Sequence, residues 1–141
     1  MIQRMQSVWL ILAAVATFLT LQLSFFSGNI IGADKIKTFS HLRATSHLFI
    51  LMLTVALGTM NFIAVFLFKN RKLQLRITLA ALIISLLNIV LYYFQAQKFV
   101  PAEGSYNITA LLSLLVPIFL ILAAKGINSD QKLVKSLDRL R

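Results

Sequence analysis

The chain has 141 residues, of which 59% are hydrophobic and 13% charged, with a formal net charge of +10. A water-soluble domain is nearer half apolar and a quarter charged, so this apolar excess calls for a solvent other than water. Cysteine is absent, which excludes a disulfide framework, a thiolate metal site and a cysteine nucleophile.

Four uncharged apolar stretches follow one another: Val8–Phe26 (19 residues), Leu48–Phe68 (21), Ile77–Gln97 (21) and Tyr106–Ala124 (19). Each meets the requirement of about 20 residues for a helix crossing about 30 Å of hydrocarbon. With no water to satisfy backbone groups there, helices are the expected form. The first stretch follows a weak basic leader, Met1-Ile-Gln-Arg4, and exceeds the core of a cleaved signal. No A-x-A site follows it, so it is expected to be retained.

The spans divide Lys and Arg into two groups. Arg4, Lys69, Arg71, Lys72, Arg76, Lys125, Lys132, Lys135, Arg139 and Arg141 lie on one side; Lys35, Lys37, Arg43 and Lys98 lie on the other. The positive-inside rule puts the larger group in the cytoplasm, and four spans then make both ends cytoplasmic. Clusters of this kind read as topology signals and contacts to anionic lipid, not as a nucleic-acid surface.

The connection Ser27–His47 is the longest, and its Ile30, Ile31, Ile36 and Phe39 are too apolar for a free linker. It is expected on the outer interface or folded over the helices. Lys98–Ser105 holds Pro101 and Gly104, a turn signal. Beyond span four, Gly126 is placed to end the helix and Asn128 to cap a new one. In that second helix Leu133, Val134, Leu137 and Leu140 share one face, with Lys132, Lys135, Arg139 and Arg141 mostly off it. The organisation expected is therefore a transmembrane domain, residues 1–126, and a basic amphipathic tail, residues 127–141. Such a tail lies on anionic lipid or docks a partner.

No charge falls inside a span, which counts against a proton pump, an ion-coupled transporter or an intramembrane protease. Depth places Thr59 and Asn61 of span two near Ser85 and Asn88 of span three. These four are the candidate interhelical contacts, as hydrogen-bonding glue or as a polar site. Gln22 and Gln95 share an outer level. Pro117 removes a backbone bond to Ser113, so a kink is expected. His41 and His47 lie outside the spans, where an interfacial role suits them better than metal or haem ligation. Asn107-Ile-Thr109 fits a glycosylation pattern but abuts the membrane, and it reads as a helix start. No catalytic motif or cofactor box is present.

Three stretches carry a likeness: Met1-Ile-Gln-Arg-Met-Gln-Ser-Val-Trp-Leu-Ile-Leu-Ala-Ala14, Arg71-Lys-Leu-Gln-Leu-Arg76, and the close from Ala123-Ala-Lys-Gly-Ile-Asn-Ser-Asp to Arg141. The chain resembles, over its whole length, the four-span Bacteroidota family catalogued as domain of unknown function 4293. That resemblance implies a bacterial inner membrane, implies no activity, and draws attention to Arg4, Lys72, Gln74, Arg76, Asp130 and the Leu133–Arg141 tail.

The expected fold is all-α: an antiparallel four-helix membrane bundle with both termini cytoplasmic and a short amphipathic tail helix. The expected role is a non-enzymatic accessory or scaffold subunit of the inner membrane, with no cofactor and no nucleic-acid partner. It would meet anionic headgroups or a protein partner through Arg4, Arg71, Lys72, Arg76, Lys132, Lys135, Arg139 and Arg141. The alternative is a lipid- or quinone-handling protein with a polar pocket at Asn61, Ser85, Asn88 and Ser113.

Overall fold

The computed structural model describes residues 3–31, 36–100 and 103–139, with the side chains of residues 3, 4, 133 and 135–139 outside the description. Four helices make up most of it: α1 (Gln3–Gln22), α2 (Leu48–Phe66), α3 (Arg71–Ala96) and α4 (Ala110–Arg139). Stretches of all four are long and apolar enough to cross a membrane: Met5–Gln22, Leu48–Lys69, Arg71–Ala96 and Ala110–Lys132. Only 28–39% of the most apolar part of each is buried within the protein. The rest presents Leu, Ile, Val and Phe outward, a surface too large and too apolar for a protein in water. The arrangement fits a membrane protein.

The helices touch in a ring, α1 on α2, α2 on α3, α3 on α4 and α4 back on α1. Inward residues recur at alternating steps of four and three. On α1 they are Gln6, Leu10, Ala13, Thr17 and Thr20; on α2, Ile50, Thr54, Leu57, Asn61 and Ala64. On α3 they are Gln74, Thr78, Ala81, Ser85, Asn88 and Tyr92. This 3.5-residue period is that of a left-handed coiled coil. Most inward residues are small or polar, which lets helices approach closely in a lipid solvent. At Gly58 a Cβ would lie 2.8 Å from the Phe18 ring, so α1 and α2 meet there through glycine. Trp9 stacks on Phe119 with centroids 5.9 Å apart, joining α1 to α4.

Three expectations need correction. The fold is not purely helical: β1 (Phe26–Ile31), β2 (Lys37–Leu42) and β3 (Ser105–Tyr106) form an antiparallel sheet in the order β2-β1-β3. The connection rich in Ile and Phe is thus a hairpin, with Phe26 opposite Leu42 and Ile31 opposite Lys37. Second, the third helix does not wait for the span expected from Ile77: α3 begins at Arg71 and takes in most of the basic stretch Lys69–Arg76. Third, Gly126 does not end α4, which runs unbroken to Arg139. A Cβ on Gly126 would lie 2.7 Å from Gln6 Cγ, so this glycine makes room for α1. The tail is therefore a continuation of α4, not a separate helix. Pro117 is also inside α4 and buried.

Arg71 meets Asp130 and Gln6 meets Gly126, so the start of α1, the α2–α3 connection and the far part of α4 share one end. This basic end carries Lys69, Lys72, Arg76, Lys125 and Lys132, all exposed. The sheet caps the other end. Beneath it Phe25 stacks on Tyr92 at 4.6 Å and Phe26 meets Phe99 and Tyr106 edge-on at 5.1 and 4.9 Å. Leu42, Ala44, Ile50, Ala96 and Ala110 complete this core.

Asn107 ties the cap together. Its side-chain amide donates to Ser24 Oγ (2.6 Å), Ser27 Oγ (2.7 Å) and the Ser24 carbonyl (3.2 Å). Its backbone N–H donates to the Phe25 carbonyl at 3.1 Å, and its carbonyl accepts from Ala110 N–H at the start of α4. The Thr109 hydroxyl also donates to the Ser24 carbonyl. The amide is thus engaged in structure and is not free for a glycan. On the sheet's outer face Glu103 pairs with Lys37 and accepts from Asn29 Nδ2 at 2.8 Å. These two partners, Lys37 first, hold its carboxyl below the ordinary value of 4.5. A depressed value means that the contribution is present at neutral pH and fades only as pH falls below the usual carboxylate range.

Asn107→Ala removes three acceptors' partner at a half-buried site. It is expected to lower stability by about 1–3 kcal/mol, read as an earlier thermal unfolding transition in mild detergent. An unchanged transition contradicts the role given to Asn107.

Candidate functional site

Two layers of buried polar side chains interrupt the apolar seam. The first lies toward the sheet end. Asn88 Nδ2 donates to Thr54 Oγ1 at 3.0 Å, joining α3 to α2, and Thr54 donates on to the Ile50 carbonyl at 2.7 Å. Ser85 donates to the Leu82 carbonyl at 2.7 Å within its own helix. Thr17 and Thr20 do the same on α1, toward Ala13 and Thr17. Between them is an internal cavity of about 10 Å³, lined by Thr17, Thr20, Ser85, Asn88, Tyr92 and Ser113 among others. A cavity needs about 10–15 Å³ to hold one water, so this one has no room for a lipid or a quinone. Pro117 deprives the neighbouring Ser113 carbonyl of its helical partner, and Asn88 Oδ1 is buried with no partner.

Of the four candidate contacts, Ser85 and Asn88 belong to this layer. Thr59 does not: it faces outward and donates to the Val55 and Ala56 carbonyls of its own helix. At 3.6 residues per turn it lies about 200° around α2 from Asn61, and Thr54 takes the role expected of it. Asn61 is fully buried, yet neither of its side-chain polar atoms has a partner. It does not line the cavity that holds Ser85, Asn88 and Ser113. Gln22, at the outer level it shares with Gln95, is exposed, and Gln95 Oε1 is buried without a partner.

The second layer is at the basic end. Gln74 Nε2 donates to the Ala64 carbonyl at 2.9 Å, closing the α2–α3 connection. Arg71 donates to the Asp130 carbonyl at 3.1 Å, which ties the far part of α4 to the start of α3. Arg71 is therefore a tether, whereas Lys72, Arg76 and Lys132 are exposed as a headgroup contact requires. Arg141 and the side chains of Arg4, Lys135 and Arg139 lie outside the described residues. Gln6 and Asp130 are buried, and Gln6 Nε2 and Asp130 Oδ2 have no partner.

His41 Nδ1 shares a hydrogen bond with Ser27 Oγ at 2.9 Å, and its ring meets Phe39 edge-on. His47 precedes the first residue of α2. Among the described residues no three His, Asp or Glu side chains come together as a metal site would need. The residues missed by depth alone, Gln6, Thr17 and Thr54, all fall on the 3.5-residue seam. That period was the signal that could have found them.

Over residues 2–140 the chain matches the model of the family described as Domain of unknown function (DUF4293), and it belongs to that family. No curated protein and no solved structure matches it.

The two asparagines differ in a way that a pair of truncations reads. Asn88→Ala breaks an interhelical hydrogen bond, while Asn61→Ala removes two polar atoms that bond to nothing. Asn61→Ala is expected to be more stable than Asn88→Ala by about 1 kcal/mol, measured by reversible unfolding in mixed detergent micelles. The reverse order means that Asn61 has a partner of its own.

Proposed function

We propose that this DUF4293 member is a non-enzymatic accessory subunit of a bacterial inner membrane. Both termini lie in the cytoplasm, the basic end rests among anionic headgroups, and the end of α4 is presented to a protein partner. The observation that carries this reading is the length of α4. Its 30 residues span about 45 Å at about 1.5 Å per residue, against about 30 Å of hydrocarbon. The excess emerges at the basic end, past Lys125 and Lys132, where it is continuous with the spanning helix and tethered through Arg71.

Charge distribution supports the orientation. Lys69, Lys72, Arg76, Lys125 and Lys132 are exposed at one end, while the other has exposed Arg43 and Lys98 and a Lys37 paired with Glu103. An uncompensated excess of Lys and Arg belongs on the cytoplasmic side. The polar side chains between the helices are amides and hydroxyls spent largely on helix carbonyls and on one another, as interhelical glue is. The 10 Å³ cavity lends no support to a small-molecule site between the helices.

Orientation is checked by labelling, which the lack of native cysteine makes clean. In intact cells an impermeant maleimide is expected to modify Thr38→Cys and not Ser129→Cys; the opposite pattern inverts the assignment. Removal of residues 133–141 is expected to leave the unfolding transition unchanged and to abolish a stoichiometric partner seen by mass spectrometry after gentle extraction. An identical partner list from the truncated chain defeats the docking role.

A further inference from the structure

The outer surface of the helices carries two grooves of similar size but different chemistry. One, of about 340 Å³, lies against α1 and α2 and is lined by Phe18, Thr59, Phe62 and Ile63, none of them charged. The other, of about 310 Å³, lies between α3 and α4. Leu75, Leu79 and Leu82 form one wall and Ile121 and Ala124 the other, with Lys125 and Asn128 beside them. Along α4 the lining changes from apolar to polar in the direction of the basic end, while the α3 wall is leucine throughout.

Helical spacing extends this second groove. Residues three or four apart share a face, so Lys72 lies one turn before Leu75 and Lys132 one turn after Asn128. Lys72, Lys125 and Lys132 are all exposed. Among the described residues no acid pairs with them, because Glu103 is paired at the sheet end and the Asp130 side chain is buried. An apolar trough opening between three free ammonium groups and an amide matches one kind of occupant: a long hydrocarbon chain ending in an anionic phosphate.

We propose that the α3–α4 groove binds an anionic phospholipid, with an acyl chain along Leu75, Leu79, Leu82 and Ile121 and the phosphate held by Lys125 and Asn128. The phosphate oxygens accept from the ammonium and from the side-chain amide N–H groups. The apolar trough selects a bilayer lipid over free phosphate. The α1–α2 groove takes a chain of any lipid, since it offers nothing to a headgroup. This site rests on the reading that the basic end lies at an anionic headgroup layer, and it narrows that reading to one place.

The test is native mass spectrometry of the full chain, delipidated and titrated with phosphatidylglycerol or phosphatidylcholine. The wild-type chain is expected to retain one phosphatidylglycerol in preference to phosphatidylcholine. K125Q is expected to lower that retention about fivefold, as for one basic residue near headgroups. A124F, which fills the trough, should lower it further. K69Q, at the same end but off the groove, and T59F, in the other groove, should leave the preference intact. Should A124F fail to fold, K125Q against K69Q decides alone, since both residues are exposed. Equal loss from K125Q and K69Q overturns the groove and leaves a diffuse basic surface. No preference for phosphatidylglycerol in the wild-type chain overturns both the groove and the reading beneath it.

Discussion

Everything in this molecule follows from one constraint: helices in hydrocarbon gain nothing by hiding apolar side chains from one another. Lipid is as apolar as leucine, so association rests on close packing and on hydrogen bonds between helices. The seam answers with residues that are small, such as Ala13, Ala64, Ala81 and Ala123, or polar, such as Thr54 and Asn88. The large apolar side chains, Phe62 and Ile83 among them, are left outside. This inverts the pattern of a protein in water, where the same side chains would form the core.

The two polar layers serve different ends of the structure. The one nearer the sheet joins α2 to α3 through the hydrogen bond of Asn88 to Thr54. The one at the basic end joins connections to helices: Gln74 holds the last turn of α2, and Arg71 holds α4. Between them Leu10, Leu57 and Leu120 are fully buried or nearly so, alongside Asn61 and Thr78. Polar atoms without partners, at Asn61, Gln6 and Asp130, cost about 1–3 kcal/mol each when nothing meets them. Asn88 Oδ1 and Gln95 Oε1 are in the same state toward the sheet end.

The spanning helices are legible in the sequence because hydrocarbon thickness fixes a length and forbids charge, and both are visible one residue at a time. Rotation is harder to read than depth. Thr59 and Asn61 sit at nearly the same height, yet only Asn61 faces inward, and the seven-residue recurrence of small and polar types had to be followed to see it. Gly126 misleads for a related reason: a glycine after an apolar run resembles a stop, and only the crossing of Gln6 explains its place inside a helix. The sheet is hidden more deeply. Phe26–Ile31 includes a glycine and an asparagine and does not alternate cleanly, and β3 has only two residues. β3 meets β1 across some 80 residues of chain, Phe26 opposite Tyr106, and Asn107 reaches Ser24 over a similar distance.

That distance sets an order of assembly. The first two helices and the hairpin between them are synthesised well before Asn107, so Ser24 and Ser27 wait without the amide that later binds them. The cap closes only after the third helix has crossed and the chain has turned back. A half-made chain therefore shows an open end lined by Phe25 and Phe26, and completion of the last helix hides it. The hydrogen bonds of Asn107 are thus among the last contacts of the cap to form, after both of their serine acceptors are already in place.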